Sequence, residues 1–472
     1  MEQIAFDPTD PKAALSQLPH AAAVFALYLA GVPTDGSSSV GRGADAHAEP
    51  YIGRTPNLRA RLERLLQPSP KHPRRLQLAG RVRRIEFRLT GSDFESLLLQ
   101  FQLLEKIYGP KSLERMHLRA PAFIRYLGSN AYPRITVTNR PSQREADWAY
   151  GPFASRATAE RFADEALKLF LLRRCTDDLD PNPTHPGCVY SEMKMCLAPC
   201  YKGCTDARYS EESSAVEQFL STRGESRLVT LRTQRNQASA DLEFESAAAL
   251  HAQVQRVESV RALAPELVRP MSQLRAVILQ ASAVPDEVSA FLYENGRLNG
   301  PALFSTLGMR IQNEQSGSSS LFAQPMSLEP VPEEPNPTTS SSHSPVGQAV
   351  DLKGHGFSRA ESGQEEARAL APEGIQTIDP KPSGPTSAKL PRNLLESRLE
   401  AALSSLTGST TPATPTERQG HLALLKRWYY RPEVRRTGEV FFPDPEGQWP
   451  IRQILRGIGR VAAKMLAPAP RA

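Results

Sequence analysis

Cysteine is confined to one short stretch: all five fall between Cys175 and Cys204, and the rest of the 472 residues carry none. That excludes a disulfide-stapled fold and makes the cluster a candidate metal site. Long apolar runs are missing as well. AAAVFALYLAGV is too short to cross a bilayer. The opening MEQIAFDPTDPK is polar and acidic, whereas a secretory leader is basic and then apolar. These absences predict a cytoplasmic chain with no membrane span. Acid is in slight deficit: 57 Lys and Arg against 51 Asp and Glu leave a formal charge of +6. A basic excess points to a polyanionic partner and says nothing about fold.

The length allows several domains, and the composition divides the chain into blocks. Residues 15–115 mix short strands and helices, with a strand in RVRRIEFRL and a helix over Asp93–Tyr108. Residues 116–170 are a connecting α/β segment with a strand in AYPRITVTNR, then a turn and helix in YGPFASRATAERFADEALKLF. The cysteine segment spans 171–209, a helical stretch almost free of proline spans 210–265, and strands fill 274–311. Residues 312–390 are rich in Ser, Pro, Gly and Glu and are expected to be a disordered linker. A small block with two helical stretches, 391–472, closes the chain. The fold class expected is a mixed α/β (α+β) multidomain protein.

The densest signal is YIGRTPNLRARLERLL from Tyr51 to Leu66. A strand ends in Tyr-Ile-Gly, Pro56-Asn57 marks a turn, and Leu58, Leu62, Leu65 and Leu66 recur at helical spacing. A tyrosine at a strand end, beside arginines on the next helix, can hold a phosphate and a phenolic acid or base together. Nearby, Lys71, Arg74, Arg75, Arg81, Arg83, Arg84 and Arg88 offer a phosphate-binding surface or, in the plainer reading, a solvated strand edge. The segment resembles the second half of the GIY-YIG nuclease signature, with Tyr51, Arg54 and Arg61 at the matching positions. For the first half, Ala26-Leu27-Tyr28 keeps the tyrosine and lacks the glycine. The Gly, Ser and Ala-rich stretch between them, 32–50, reads as an inserted loop.

The cysteines stand as Cys175, Cys188, Cys196 and Cys200 in a C-x12-C-x7-C-x3-C pattern, with Cys204 after a further three-residue spacer. Close-set thiolates converge on one soft metal, as tetrahedral zinc or an iron–sulfur cluster, and spacing alone does not choose. Cys204 and His185 are spare candidates. LRRC at Leu172–Cys175, CVY at Cys188–Tyr190, CLAPC at Cys196–Cys200 and YGPF at Tyr150–Phe153 together resemble the UvrC family of nucleotide excision repair. The resemblance implies a [4Fe–4S] cluster rather than Zn²⁺ on the four cysteines. Further on, ADLEFESAAALHAQVQRV is similar to the UVR motif through which that family docks on the helicase subunit UvrB. It matches at Leu242, Phe244, Glu245, Ala247 and Ala248, with His251 and Ala252 where the pattern has Arg-Asp. Physically this is a turn between antiparallel helices, with Phe244 expected to plug the hairpin and the alanines to let the helices approach. A self-contained hairpin without a partner is the alternative.

The resemblance covers about residues 15–310 and breaks at one chemically decisive place. In the nuclease family a glutamate closing a Leu-Leu-Leu-Glu run holds the divalent metal; here LLLQ ends in Gln100. A neutral amide is a poor anchor for Mg²⁺ or Mn²⁺, which favour carboxylate oxygens. Glu95 and Glu105 point about 140° away around the helix, and Asp93 shares the face but lies about 10 Å along the axis. Trp428, Tyr429, Tyr430, Arg431, Arg435 and Arg436 of the last block either stack on single-stranded DNA or form a core with a basic rim, the second being favoured. Two functions follow from the resemblance: an endonuclease nicking damaged duplex DNA with Tyr28, Tyr51, Arg54, Arg61 and Gln100 at the phosphate, or a degenerate DNA-binding adaptor of excision repair. Either implies a UvrB-like partner.

Overall fold

The local signals of the first block are realised in the computed structural model. It describes residues 1–29, 49–66, 78, 80–176, 178–309, 391–407 and 413–466. The expected linker, the inserted loop apart from its last residues, and Lys71, Arg74 and Arg75 lie outside the described residues. All described residues belong to one compact unit, Met1–Gln312 with Lys389–Ala472.

The first sheet joins β1 (Glu2–Ala5), β2 (Ala23–Leu29), β3 (Tyr51–Thr55) and β4 (Val82–Leu89) in the antiparallel order β1-β4-β2-β3. On one face lie α1 (Pro11–Ser16) and α2 (Leu58–Leu66). Asn57 caps α2 by accepting the Ala60 N–H at 3.0 Å, and the four leucines of α2 are buried. Gly53 is required here: a Cβ would stand 2.7 Å from the buried Phe25 ring across the pair. On the other face, α3 (Asp93–Tyr108) packs over β2 and β3 and α4 (Lys111–Arg115) follows. Ser92 caps α3 by accepting the Glu95 N–H at 3.1 Å, and Glu95 returns the favour at the Gly91 N–H, 2.9 Å.

The second sheet has β5 (Ala122–Tyr126), β6 (Ile135–Thr138), β7 (Ala149–Phe153) and β8 (Arg269–Pro270) in the order β6-β5-β7-β8. It is backed by α5 (Arg156–Leu167), which opens on a Ser155–Thr158 capping box. The cysteine segment holds the short α6 (Val189–Glu192). Three helices follow: α7 (Asp206–Ser221), α8 (Glu225–Ala240) and α9 (Phe244–Ala262), the last two an antiparallel hairpin.

The third sheet corrects the division of the C-terminal half. The strand-rich segment and the terminal block share one antiparallel sheet, β11-β10-β9-β12, of β9 (Ala276–Ala281), β10 (Glu287–Glu294), β11 (Arg297–Ser305) and β12 (Glu439–Phe441). Helices α10 (Arg392–Leu406) and α12 (Ile451–Leu466) cover one face. The other face meets α11 (Pro415–Tyr429), which reaches across to α3. There Trp428, 1% exposed, packs 5.5 Å from Phe94, and Phe101 fills the space that any side chain at Gly420 would need. The first and third sheets therefore share a core built on α3.

Candidate functional site

Strand register decides which of the expected residues meet. Leu27 stands opposite Tyr51, and Phe25 opposite Gly53, so these side chains share the α2 face. The Tyr51 ring lies 6.1 Å from Phe25, and Arg61 on α2 donates from Nη2 to the Tyr51 hydroxyl at 3.4 Å. Tyr51 and Arg61 are thus brought together. Tyr28 has the opposite parity and emerges on the α3 face. There its hydroxyl donates to Glu86 at 3.1 Å, Arg84 lies 4.0 Å over its ring, and Arg84 pairs with Glu86 at 3.2 Å. Partial burial and the Glu86 charge push the Tyr28 phenol above its usual range, which makes it a weaker acid and keeps it in the neutral, protonated form. The β2 aromatic that sits beside Tyr51 is Phe25. Counting strand parity from Gly53, whose missing side chain calls for a bulky neighbour, was the signal that would have found it.

Arg54 also points to the α3 face, where it pairs with Asp93. Arg431, in the turn after α11, donates from Nη2 to the second Asp93 oxygen at 2.6 Å. Partial burial pushes the Asp93 carboxyl up, but the hydrogen bond from Arg431 and the charges of Arg54 and Arg431 outweigh it and hold it below the usual range. Gln100 is half-buried on α3, two turns beyond Asp93. Asp93, Glu86 and Arg431 are the site residues that sequence reasoning did not select. The first was set aside for its distance from Gln100, and the other two depend on register and tertiary contact. Arg81, just before β4, and Arg83 and Arg88 on β4, an interior strand of the same sheet, are exposed.

Cys188 caps α6, Cys200 lies in a 3-10 turn, and Cys196 accepts the Ala198 N–H at 3.3 Å. Burial pushes the Cys196 thiol up to about 11, with further upward pressure from Cys175, Cys188 and Cys200. The four expected cysteines therefore lie within electrostatic reach of one another. Cys204 feels burial and Asp206 most and, among the thiols, only Cys200. Among the described residues no three His, Cys, Asp or Glu side chains form a group positioned to hold a metal ion. The donor set fits a soft metal in kind: four thiols, one already accepting a backbone N–H as a metal-bound sulfur does.

The hairpin differs from expectation at its tip. Phe244 does not plug it: Phe244 is 66% exposed and Leu242, at φ +63°, is 71% exposed. Tight closure explains this. Glu243 N–H bonds back to Ala238 and Leu242 N–H to Ser239, so the turn has no interior for a ring to fill. The seam lies lower, in Leu228, Leu231, Val254, Val257 and Val260, braced by Arg232–Glu258 at 2.7 Å and Arg261–Glu225 at 3.1 Å. Glu245 and Ala248 are exposed and Ala247 is half-buried. In the last block, Trp428 donates to the Thr437 carbonyl at 3.0 Å and Tyr430 to that of Pro152 at 2.8 Å. These aromatics are core, as the favoured reading had it. No described helix is long and apolar enough to cross a membrane.

The arrangement so far defines a mixed α/β protein of antiparallel sheets and helices, with a helical hairpin whose apolar tip is bare among the described residues. Comparison with known proteins gives it a lineage. Residues 123–219 match the family model described as UvrC/Cho excinuclease, middle domain, and residues 225–260 match the UvrB/uvrC motif. Among curated relatives, UvrABC system protein C of Alcanivorax borkumensis is 30% identical over 211 residues, covering 45% of this chain and 34% of the relative. The protein of the same name in Ruminiclostridium cellulolyticum is 28% identical over 273 residues, covering 57% and 44%. That of a Ruegeria species is 28% identical over 212 residues, covering 45% and 33%. The chain spans between a third and under half of the length of these relatives. No solved structure matches it. Over these segments the chain is similar to the UvrC family.

Proposed function

We propose that this protein is a UvrC-like component of nucleotide excision repair that acts in the cytoplasm as a DNA-binding adaptor and docks on a UvrB-like helicase subunit. The observation that carries the reading is the bare Leu242–Phe244 tip within the segment that matches the UvrB/uvrC motif. Two large apolar side chains held in water by a rigid turn gain by being covered, at about 25 cal/mol per Å² of apolar surface. Glu245 and Ala248 beside them would complete the contact. The test is capture of a purified UvrB-like subunit on the immobilised chain: the wild type retains it and Phe244→Ala does not. Equal capture by both forms, or by neither, removes the docking role.

A second reading keeps a nuclease, on the strength of the Tyr51–Arg61 pair. Residues 15–115 then act as a GIY-YIG-type domain in which Arg61 neutralises a scissile phosphate and Tyr51 handles the proton. A divalent metal would polarise the phosphate. Gln100 supplies no charge to hold it, and Tyr28 stands across the sheet, which is why the adaptor comes first.

Cys175, Cys188, Cys196 and Cys200 are proposed to hold a [4Fe–4S] cluster, with Zn²⁺ as the alternative. Bound there, the group supplies a covalent tie across a segment with little helix or strand of its own. Iron, sulfide and zinc analysis of anaerobically purified protein decides between them. A metal-free protein with four free thiols would remove the site.

A further inference from the structure

The Asp93 carboxylate is gripped by guanidiniums from segments far apart in the chain: Arg54 at the end of β3 and Arg431 after α11. One negative charge faces two positive ones, so the group stays net positive. It is open to water, the side chains of Arg54, Asp93 and Arg431 being 33%, 37% and 24% exposed. The α3–α11 seam does not depend on it. An ion pair this open contributes little, far less than a buried aromatic such as Trp428. Register places exposed Arg88 on the same face, across Val24 from Arg54. The guanidinium fork takes carboxylate and phosphate by the same geometry. An open, net-positive pair of arginines around one acid has the chemistry of a phosphate seat already filled from within.

We propose that Arg54 and Arg431 form a seat for a backbone phosphate of DNA, and that Asp93 occupies it as a built-in competitor. The inference rests on the DNA-binding reading above. It makes the C-terminal segment part of the N-terminal site, because the seat has both arginines only while α11 lies on α3. DNA entering the seat displaces Asp93, so binding is weaker and less salt-dependent than the arginine content alone would give.

The test is fluorescence anisotropy of the full chain with a labelled duplex across a salt series, after melting curves establish that each variant is folded. Asp93→Asn is expected to tighten binding about 3–10-fold at low salt and to steepen the salt slope by about 1–2, since two arginines are freed. Asp93→Ser, which puts a small neutral hydroxyl at this first-turn position, carries the same expectation should the asparagine form not fold. Adding Arg431→Ala to either form is expected to abolish the gain. Wild-type binding that is unchanged or weakened in both Asp93 variants overturns the seat while leaving DNA binding in place. No binding by the wild type or any variant overturns the seat together with the reading beneath it.

Discussion

The hairpin and the N-terminal sheet treat their candidate functional side chains in opposite ways. At the hairpin tip, large apolar groups stand uncovered by any of the described residues. On the α3 face of the N-terminal sheet, polar groups are tied to one another: Tyr28 and Arg84 to Glu86, Arg54 and Arg431 to Asp93. The first arrangement leaves apolar surface that a partner could cover. The second is already satisfied internally, and a ligand must compete for it. An exposed apolar pair therefore speaks for docking more directly than a satisfied polar cluster speaks for catalysis.

The contrast can be broken first by stability. Trp428→Ala removes a fully buried ring from the α3–α11 seam and is expected to cost about 3–5 kcal/mol in chemical denaturation. Phe244→Ala at the exposed tip should fall within about 0.5 kcal/mol of wild type. A large loss in the latter would mean that the tip is structural.

Acid should separate the two regions next. His421 is 2% exposed and accepts the Leu298 N–H at Nδ1, 3.1 Å. Burial, only partly opposed by Glu417, pushes its imidazole from 6.5 down to about 4. The unfolded chain therefore binds the extra proton first. Stability is full above about pH 6.5 and falls as pH drops toward 4, by on the order of 3 kcal/mol. His421→Gln, which retains an acceptor for Leu298, should flatten that slope. An unchanged slope would place the acid sensitivity elsewhere.

A smaller effect is expected at the Tyr51 pocket. Gly53→Ala drives a methyl into the Phe25 ring and should cost about 1–3 kcal/mol, visible as a lower melting temperature. A neutral result would mean that the β2–β3 pair yields locally and that the Tyr51–Phe25 packing is not fixed.

Legibility followed the range of the determining interactions. Asp93–Tyr108 is a helix with the expected bounds, because the Ser92 cap and Gly109 lie within its own few residues. The leucine face of α2 and the hairpin helices were readable for the same reason. Tyr28 was paired with the wrong face because a one-residue change of parity turns a strand side chain over, and parity is set by a partner strand. The exposure of Phe244 was hidden because a hydrophobic residue beside a turn looks the same in sequence whether it faces a seam or solvent. The union of 274–311 with the terminal block rests on β12 pairing from Glu439 back to Leu279, a contact that no local pattern announces.

The central claim, that this is a docking and DNA-binding adaptor rather than a self-sufficient nuclease, meets its most direct test in strand nicking. Damaged duplex is incubated with the wild-type chain, Gln100→Glu and Tyr51→Phe in Mg²⁺ and in Mn²⁺. The account predicts no nicking above background for the wild type, with any gain confined to Gln100→Glu. Robust wild-type nicking that disappears in Tyr51→Phe would contradict it.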